Sequence, residues 1–276
     1  MNGFRDKIAI VTGGASGIGR ALCEELGRRG TVVVVSDVRM EGAKNVSQRI
    51  TVAGGRARAV HLDVTSEPDV SGLVDKVVSE EGRLDYIFNN AGIAIVGEVR
   101  DMNLDHWRRI LDINLRGVIY GTAAAYQVMV KQGFGHIVNI ASLAGLIPLA
   151  GITAYAVTKH AVVGLSTSLR IEAADLGVKV SVVCPGLIKT NIIDSATYLK
   201  LNKERLLDLS PRKGLDMDLA ARTILEGVAR NRPIIAFPFG ARLLWWLYRH
   251  FPRVLEPFGR RGMRKLRTAR TDDLNS

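Results

Sequence analysis

The sequence has little cysteine, no internal repeat and no linker, and these absences restrict the kinds of protein that it can encode. Its two cysteines, Cys23 and Cys184, belong to no CxxC motif and no cysteine–histidine cluster. That pattern excludes a disulfide-stabilised framework and a structural zinc site. Residues 1–7 lack the apolar run and cleavage site of a signal peptide, so we expect a cytoplasmic protein. The 28 glycines follow no period, which excludes a collagen-like chain.

The amino-acid composition fits one soluble domain followed by a C-terminal segment that is more basic than the rest. Hydrophobic residues make up 47% of the 276 residues and charged residues 24%, as in ordinary globular proteins. The formal net charge is +11, and the residues from 240 onward carry nine arginines and lysines against three acidic residues. We therefore predict one domain over residues 1–239, followed by an aromatic and basic extension over residues 240–276.

Strand-like and helix-like segments alternate along most of the chain. Val32–Ser36 is a β-branched run of the kind found in strands that are buried on both faces. The other strand candidates are Lys7–Thr12, Ala57–Leu62, Leu84–Asn89, His136–Ala141, Val178–Cys184 and Ile234–Phe237, and the clearest helical patterns are Gly17–Arg29, Leu104–Lys131, Ala154–Asp175 and Asp216–Arg230. This alternation predicts an α/β fold with a parallel sheet between two layers of helices, and a ligand at the carboxyl ends of the strands.

A glycine-rich turn, residues 12–19 (TGGASGIG), lies between the first strand and the first helix. Glycines there let the backbone approach a pyrophosphate, and the helix N-terminus offers it N–H groups and a partial positive charge. When such a motif is considered without its neighbours, the alternative interpretation is a flexible loop that binds no ligand. Asp37 ends the second strand, where a carboxylate accepts hydrogen bonds from the ribose hydroxyls and repels the 2′-phosphate of NADP. NAD is therefore favoured, with Arg39 as the complication and an ordinary turn aspartate as the alternative.

Tyr155 and Lys159 are one helical turn apart, so both side chains are predicted to lie on one helix face. An ammonium group near a phenol lowers the phenol pKa, and a shift of ~2–3 units would prepare Tyr155 for acid–base catalysis. Ser142 follows the strand His136–Ala141, where its hydroxyl would polarise a substrate carbonyl. The alternatives are a solvated helix pair and a helix-capping serine.

Taken together, these motifs resemble the short-chain dehydrogenase/reductases, in their compact single-domain branch, over about residues 7–237. The matching elements are residues 12–19, Asn89-Asn90-Ala91-Gly92, Asn114, Ser142 with Tyr155-Ala-Val-Thr-Lys159, and Pro185-Gly186 with Thr190. The resemblance implies a Rossmann-type, doubly wound sheet of seven parallel strands in the order 3-2-1-4-5-6-7. It also implies a nicotinamide cofactor, no metal, and a homodimer or homotetramer. The extension after Phe237 departs from many relatives, whose tetramer interface uses that end.

The same resemblance implies a role for each matching residue. Tyr155 would be the general acid/base, Ser142 would orient the carbonyl, and Lys159 would lower the Tyr155 pKa and hold the nicotinamide ribose. Asn114 would hold a water that links Lys159 to solvent. Asp63 and Val64 would contact adenine, and Asn89 would lie near the ribose. The nicotinamide would be held by Pro185, Gly186, Ile188 and Thr190. The full cofactor-binding set is Gly13, Ser16, Gly17, Ile18, Gly19, Asp37, Asp63, Val64, Asn89, Ala91, Gly92, Tyr155, Lys159, Pro185, Gly186, Ile188 and Thr190.

Two apolar segments are expected to form the substrate pocket. Residues 191–211 lie where this family places its substrate lid, and residues 143–152 separate Ser142 from Tyr155. Because both segments are rich in leucine and isoleucine, we expect a hydrophobic substrate, namely a long-chain, aromatic or steroid-like secondary alcohol or ketone.

The C-terminal extension leaves three interpretations open. Ala241–Phe251 (ARLLWWLYRHF) is too short to span a bilayer, and with the arginines that follow it fits a helix lying on an anionic membrane surface through residues 240–270. Alternatively, Trp245 and Trp246 cover the substrate pocket or pack in a subunit interface. No nucleic-acid recognition motif is present, so we expect no nucleic-acid partner.

Two kinds of function remain in competition after this reading. The first is an NAD-dependent oxidoreductase, and the second is a non-catalytic member of the same fold that senses a cofactor or acts as a scaffold. The complete set of Asn114, Ser142, Tyr155 and Lys159 favours the enzyme, because a pure binding protein would tolerate the loss of any of them.

Overall fold

The computed structural model describes residues 3–188, 192, 195–209 and 214–271. Its strands are β1 (Ile8–Thr12), β2 (Val32–Asp37), β3 (Arg56–His61), β4 (Tyr86–Asn89), β5 (Ile95–Val96), β6 (Gly135–Ile140), β7 (Val178–Pro185), β8 (Thr197–Tyr198) and β9 (Ile234–Phe237). Its helices are α1 (Gly17–Arg28), α2 (Met40–Val52), α3 (Glu67–Glu81), α4 (Leu104–Leu111), α5 (Gly117–Gln132), α6 (Thr153–Glu172), α7 (Lys203–Leu209), α8 (Met217–Ala229), α9 (Phe239–His250) and α10 (Pro252–Arg267).

Seven strands form one parallel sheet in the order β3-β2-β1-β4-β6-β7-β9. The short strands β5 and β8 pair separately as a two-stranded parallel sheet. When these two are set aside, the order is the 3-2-1-4-5-6-7 arrangement implied by the family resemblance, and that prediction is confirmed. The strand order reverses between β1 and β4, and a crevice at such a reversal is where open α/β sheets bind ligands.

Alternation of side chains along β2 explains why its run of valines is buried. Val33 and Val35 join a core with α1, α2 and α8, whereas Val34 joins the core on the opposite face with α3 and α5. Successive side chains of a strand point to opposite faces, so a strand covered on both sides needs apolar residues at every position. The predicted layer of helices on each face of the sheet follows directly from this pattern.

The helix predicted over Leu104–Lys131 is interrupted in the structure. A π-helical turn, Asp112–Arg116, separates α4 from α5 and contains Asn114. Such turns carry an extra residue and frequently occur at functional sites. The helical periodicity of the sequence does not reveal this turn, because the apolar face continues through it.

The C-terminal extension forms α9 and α10, which pack against the sheet domain. Ala241 is buried with Leu143 and Ile147, and Trp245 and Tyr248 pack against the same cluster. Within the described part of the chain, no helix combines the length and apolar character needed to cross a bilayer.

Candidate active site

The glycine-rich turn between β1 and α1 adopts a conformation that larger residues would disrupt. Gly13 and Gly17 have φ angles of 66° and 56°, in the left-handed region that favours glycine. A Cβ atom at Gly19 would collide with the carbonyl oxygen of Gly13, and one at Gly13 would lie 2.8 Å from the Cα atom of Ala91. The turn therefore brings bare backbone to the N-terminus of α1, which is the arrangement that a pyrophosphate requires.

Asn90 braces this turn from the neighbouring strand. Its Nδ2 atom donates hydrogen bonds to the carbonyl oxygens of Thr12 (2.9 Å) and Gly13 (3.2 Å). The backbone N–H groups of Asn90 and Ala91 both donate to the Thr12 hydroxyl, at 2.9 and 3.1 Å. The sequence analysis gave Asn90 no separate role, although its place between Asn89 and Ala91 in the matching motif was the available signal.

Asp37 is buried at the end of β2, and its carboxylate is held by the turn. Its Oδ2 atom accepts from the Ala15 N–H at 3.0 Å, and its Oδ1 atom accepts from the Arg39 N–H at 2.9 Å. The Arg39 guanidinium lies 3.4 Å from the same Oδ1 atom and donates to the Ser16 hydroxyl at 2.7 Å. Arg39, which the sequence analysis named as the complication, therefore bridges Asp37 and Ser16.

The adenine-side candidates are fixed by local contacts. Asp63 accepts hydrogen bonds from the N–H and the hydroxyl of Thr65, at 2.9 and 2.8 Å. Val64 is buried, and a Cβ atom at Gly117 would lie 2.9 Å from its side chain. Both residues follow β3 directly, so they lie at the carboxyl edge of the sheet with Asp37.

Asn89 lies inside the protein and makes its contacts there. Its Nδ2 atom donates to Asn139 Oδ1 at 2.8 Å and to the Thr122 hydroxyl at 3.3 Å. Its Oδ1 atom faces Gly121 so closely that a Cβ atom there would collide with it. This geometry supports a role for Asn89 in joining β4 to β6 and α5, and places its amide away from solvent.

Asn114 anchors the loop after β4 from the π-helical turn. Its Oδ1 atom accepts from the Ile93 N–H at 2.8 Å, and its Nδ2 atom donates to the Ile93 carbonyl oxygen at 2.9 Å. A Cβ atom at Gly92 would lie 3.3 Å from Asn114 Oδ1 and 3.6 Å from Lys159 Nζ. Asn114, Gly92 and Lys159 are thus neighbours, as the sequence predicted, and the side chain of Asn114 is already occupied by Ile93.

Ser142, Tyr155 and Lys159 meet where β6 ends and α6 begins. Ser142 precedes a short helical turn, Leu143–Gly145, and accepts a hydrogen bond from the Ala144 N–H at 3.2 Å. Its hydroxyl also lies near enough to Tyr155 to lower the pKa of that phenol. Lys159 Nζ donates to the carbonyl oxygen of Ile140 at 2.9 Å and lies 5.5 Å from the centre of the Tyr155 ring. The structure therefore brings together the three residues that the sequence analysis grouped.

The electrostatics of this group differ from the sequence-based expectation. Burial raises the pKa of Tyr155 to about 12, and the hydrogen bond with Ser142 only partly opposes that rise. Burial also lowers the pKa of Lys159 to about 8. The predicted lowering of the tyrosine pKa is therefore not produced by the chain alone, because loss of solvent is the largest effect on both groups.

The nicotinamide-side candidates follow β7. The Gly186 N–H donates to the carbonyl oxygen of Phe237 at 2.7 Å, and Ile188 is buried and bridged to Leu215. Pro185 is the last residue of β7 and pairs with Phe237. Thr190 lies outside the described residues, as do parts of the segment 191–211 that was predicted to be the lid.

The described part of that segment contacts the catalytic group. Leu199 is buried in a cluster with Ile95 and Ala154, against which Tyr155 packs. The strand pair β5–β8 holds the segment beside β5, and a Cβ atom at Gly97 would lie 2.8 Å from that of Leu199. Leu199 therefore contributes to an apolar wall next to Tyr155, together with Ile95 and Ala154.

The end of the extension fastens this wall. Arg270 forms an antiparallel bridge with Leu201, and the Asn202 N–H donates to the carbonyl oxygen of Ala269 at 2.8 Å. The Arg270 guanidinium is buried against Asp101 and Glu98, and Arg267 also pairs with Glu98. Arg267 and Arg270 thus pair within the protein, and no spacing in the sequence indicated their acidic partners.

An open cleft of about 940 Å³ separates α10 from the segment that precedes α6. Its lining includes Pro148, Leu149 and Thr153 on one side and Tyr248, Arg253 and Met263 on the other. The residues that line it do not include Ser142, Tyr155 or Lys159. This cleft is therefore distinct from the space directly in front of the catalytic group.

Comparisons with known proteins agree on one family. The model of the short chain dehydrogenase family matches residues 7–198. The chain is 39% identical over 207 residues to cyclohexanol dehydrogenase from Acinetobacter sp. (strain SE19), covering 73% of this chain and 82% of that protein. It is 39% identical over 190 residues to cyclopentanol dehydrogenase from Comamonas sp. (strain NCIMB 9872), covering 69% and 76%. A crystal structure of a short-chain dehydrogenase/reductase from Burkholderia phymatum in complex with NAD aligns with a TM-score of 0.83 at 28% identity, over 91% of this chain and 95% of that one.

Proposed function

The chain belongs to the short-chain dehydrogenase family, and on that basis we propose that it interconverts a hydrophobic secondary alcohol and its ketone with NAD as cofactor. Action on alcohols as a class is supported by relatives that are cyclohexanol and cyclopentanol dehydrogenases. The observation that carries the proposal is the meeting of Ser142, Tyr155 and Lys159 beside the glycine-rich turn. When bound, NAD would accept the hydride from the carbinol carbon, and NADH would return it to the ketone.

Ser142 and Tyr155 would hold the substrate oxygen between them. The influence of Ser142 on the Tyr155 pKa supports this arrangement, because it requires the two side chains to be close together. In alcohol oxidation the phenolate of Tyr155 would take the hydroxyl proton, and in ketone reduction the phenol would return it. Lys159 is fixed by the carbonyl oxygen of Ile140, so its amine is held beneath the Tyr155 ring rather than in solvent. Fixed positions of this kind supply much of the rate enhancement in a hydride transfer.

The residues at the turn fit a dinucleotide. Side chains at Gly13 and Gly19 would collide with Ala91 and with the backbone of the turn itself, so glycine is needed there for the tight turn that binds a pyrophosphate. Asp37 lies where the adenosine ribose would be bound, and its carboxylate favours NAD over NADP. Arg39 reduces this preference, because its guanidinium is positioned beside Ser16 and Asp37, where it would attract a 2′-phosphate.

The walls around Tyr155 support an apolar substrate. Ile95, Ala154 and Leu199 are buried beside it, and Met102 and Trp107 pack against them. On the other side, Leu143 and Ile147 are buried under α9. A ring or chain of carbon atoms would bury its surface against these side chains, whereas a polyol would leave its hydroxyl groups without partners. Alicyclic, long-chain, aromatic and steroid-like alcohols are therefore the compounds to test.

The decisive experiment compares Tyr155→Phe with Tyr120→Phe, which removes a hydroxyl from a tyrosine of α5. Both variants are assayed for oxidation of cyclohexanol, long-chain alcohols, a hydroxysteroid and a polyol, with NAD and with NADP. We expect Tyr155→Phe to lose at least about 100-fold in turnover, in keeping with removal of a general acid/base, and to bind NAD almost normally. Tyr120→Phe should retain activity. Full activity in Tyr155→Phe, or a preference for the polyol, would contradict the proposal.

We also propose that the protein forms a homodimer or homotetramer. Ile119 on α5 and Val157 and Ile171 on α6 are exposed apolar side chains on the two long helices. These helices form the common dimer contact implied by the family resemblance. Light scattering after size-exclusion chromatography measures the mass directly, and an Ile171→Asp variant that remains as large as the parent would argue against this interface.

A further inference from the structure

We propose that the outward face of α9 and α10 docks on the surface of an anionic lipid bilayer. This contact is separate from the proposed reaction, because it uses side chains that point away from Tyr155. It rests on three observations: the orientation of the extension is fixed, its outer face carries exposed large apolar side chains, and the charged groups on that face are almost all basic.

The inner face of the extension is already occupied by the protein. Ala241, Trp245 and Tyr248 recur at intervals of three and four residues and pack on Leu143 and Ile147. Farther along, a Cβ atom at Gly151 would collide with the side chain of Leu266, so α10 lies closely over that loop. These contacts, with the pairing of Arg270, determine which sides of both helices remain outside.

The outer face is unusually apolar for a surface. Phe239 is 74% exposed, Trp246 is 52% exposed and Phe258 is 70% exposed. Leu243 lies between the first two on the same side of α9, and Val254 lies one turn before Phe258 on α10. Large apolar side chains placed contiguously on a soluble surface generally mark a contact site.

Basic side chains surround these apolar residues. In residues 239–271 the acidic side chain is Glu256, which is paired with Arg260. Arg267 and Arg270 are paired with Glu98 and Asp101. Of the others, Arg253 and Arg264 line the cleft between α10 and the segment before α6. The remaining basic side chains make no ion pair within the described part of the chain, and they are Arg242, Arg249, Arg261 and Lys265. An anionic partner would therefore meet unneutralised cations around an apolar centre.

This combination of charge and apolar surface favours a bilayer over other occupants. A second copy would place one basic face against another in a symmetric contact, and like charges repel there. A nucleic acid would satisfy the arginines and leave Leu243 and Val254 in water. A bilayer surface offers phosphate groups to the arginines and an acyl boundary to the leucine, valine and aromatic side chains.

The test is co-sedimentation of the full-length chain with vesicles of phosphatidylcholine alone or with one third phosphatidylglycerol. We expect binding to the anionic vesicles, weaker binding at high salt, and little binding to phosphatidylcholine. The double variant Phe239→Asp/Phe258→Asp and the double variant Arg261→Glu/Lys265→Glu should each bind at least about tenfold more weakly. Val52→Asp/Leu104→Asp is the matched control, because it alters two equally exposed apolar residues elsewhere and should bind like the parent.

Three results would overturn the proposal. The first is no binding of the parent to anionic vesicles. The second is equal loss of binding in the control, which would mean that the surface of the extension is not the contact. The third is a change of oligomeric mass in the two extension variants, which would assign the face to a second copy. Activity on a water-soluble alcohol is measured in parallel and should be the same in all variants, so that loss of vesicle binding is distinguished from failure of the proposed reaction.

Discussion

Arg270 Nη1 lies 2.6 Å from Asp101 Oδ2 although the two residues are 169 positions apart in the chain. Both side chains are buried, with 7% and 4% of their surfaces exposed. The same guanidinium lies 3.2 Å from Glu98 Oε1. The hydrogen bond from Arg267 lowers the pKa of Glu98 to about 2, although burial opposes that shift. Since Arg270 also bridges to Leu201, this ion pair joins the C-terminus, the loop after β5 and the apolar wall beside Tyr155.

The first prediction concerns this junction. Arg270→Met should lower the free energy of unfolding by about 3 kcal/mol, because it leaves Asp101 buried without its main partner. It should also loosen residues 197–202, which raises KM for a large apolar substrate more than it lowers kcat. The measurements are denaturant unfolding, limited proteolysis and steady-state kinetics. Arg242→Met removes an exposed arginine of the same extension and serves as control. An unchanged KM together with unchanged proteolysis would show that Arg270 does not hold the wall.

The second prediction concerns the choice of cofactor. Asp37→Ala should reduce the preference for NAD over NADP by about 10- to 100-fold. This factor corresponds to the free energy of one or two hydrogen bonds to a charged group. Arg39→Ala should change the preference in the opposite direction, because it removes the cation beside Ser16. The ratio of kcat/KM for the two cofactors measures both effects, and melting temperatures check that each variant is folded. An identical ratio in Asp37→Ala would mean that another residue selects the cofactor.

The third prediction concerns the ionisation of Tyr155. Burial raises the pKa of this phenol to about 12, so it should remain protonated in the free protein at pH values where exposed tyrosines ionise, about 10. The positive ring of bound NAD should lower that pKa, so that alcohol oxidation accelerates as the pH rises. The difference between the ultraviolet titration curves of the parent and of Tyr155→Phe gives the pKa of Tyr155. The titration is made without NAD and again with NAD. Equal values in the two titrations would contradict this account.

The fourth prediction is that Lys159 lowers the free energy of unfolding although the reaction requires it. Its folded pKa of about 8 is below that of an exposed lysine, so the unfolded chain binds more protons between pH 8 and about 10.5. The cost is fully present below pH 8 and disappears as the pH rises through that range. At pH 7, Lys159→Met should therefore raise the free energy of unfolding by about 1 to 3 kcal/mol, a value that already allows for loss of the hydrogen bond to Ile140. The variant should unfold at a higher denaturant concentration and should lose turnover. Lys131→Met, at an exposed position, is the control, and a Lys159→Met variant less stable than the parent would contradict the prediction.

The periodicity and the motifs of the sequence were sufficient to predict the fold and to group Ser142, Tyr155 and Lys159. The valine run of β2, the glycine turn before α1 and the spacing of Tyr155 and Lys159 are local features, because one strand or one helical turn determines each of them. The family resemblance added the strand order and grouped Ser142 with Tyr155, which the structure places within hydrogen-bonding reach. These properties follow from short-range geometry, so the sequence alone was enough to predict them.

Other features were decided only when distant segments packed together. Arg270 looks like one more solvated arginine until it is buried against Asp101, and Arg39 looks distant from Ser16 until β2 is placed beside the turn. The direction of the Tyr155 pKa also depended on packing, because burial of the phenol raises it to about 12. Burial and long-range pairing are properties of the folded chain, and no spacing along the sequence encodes them directly.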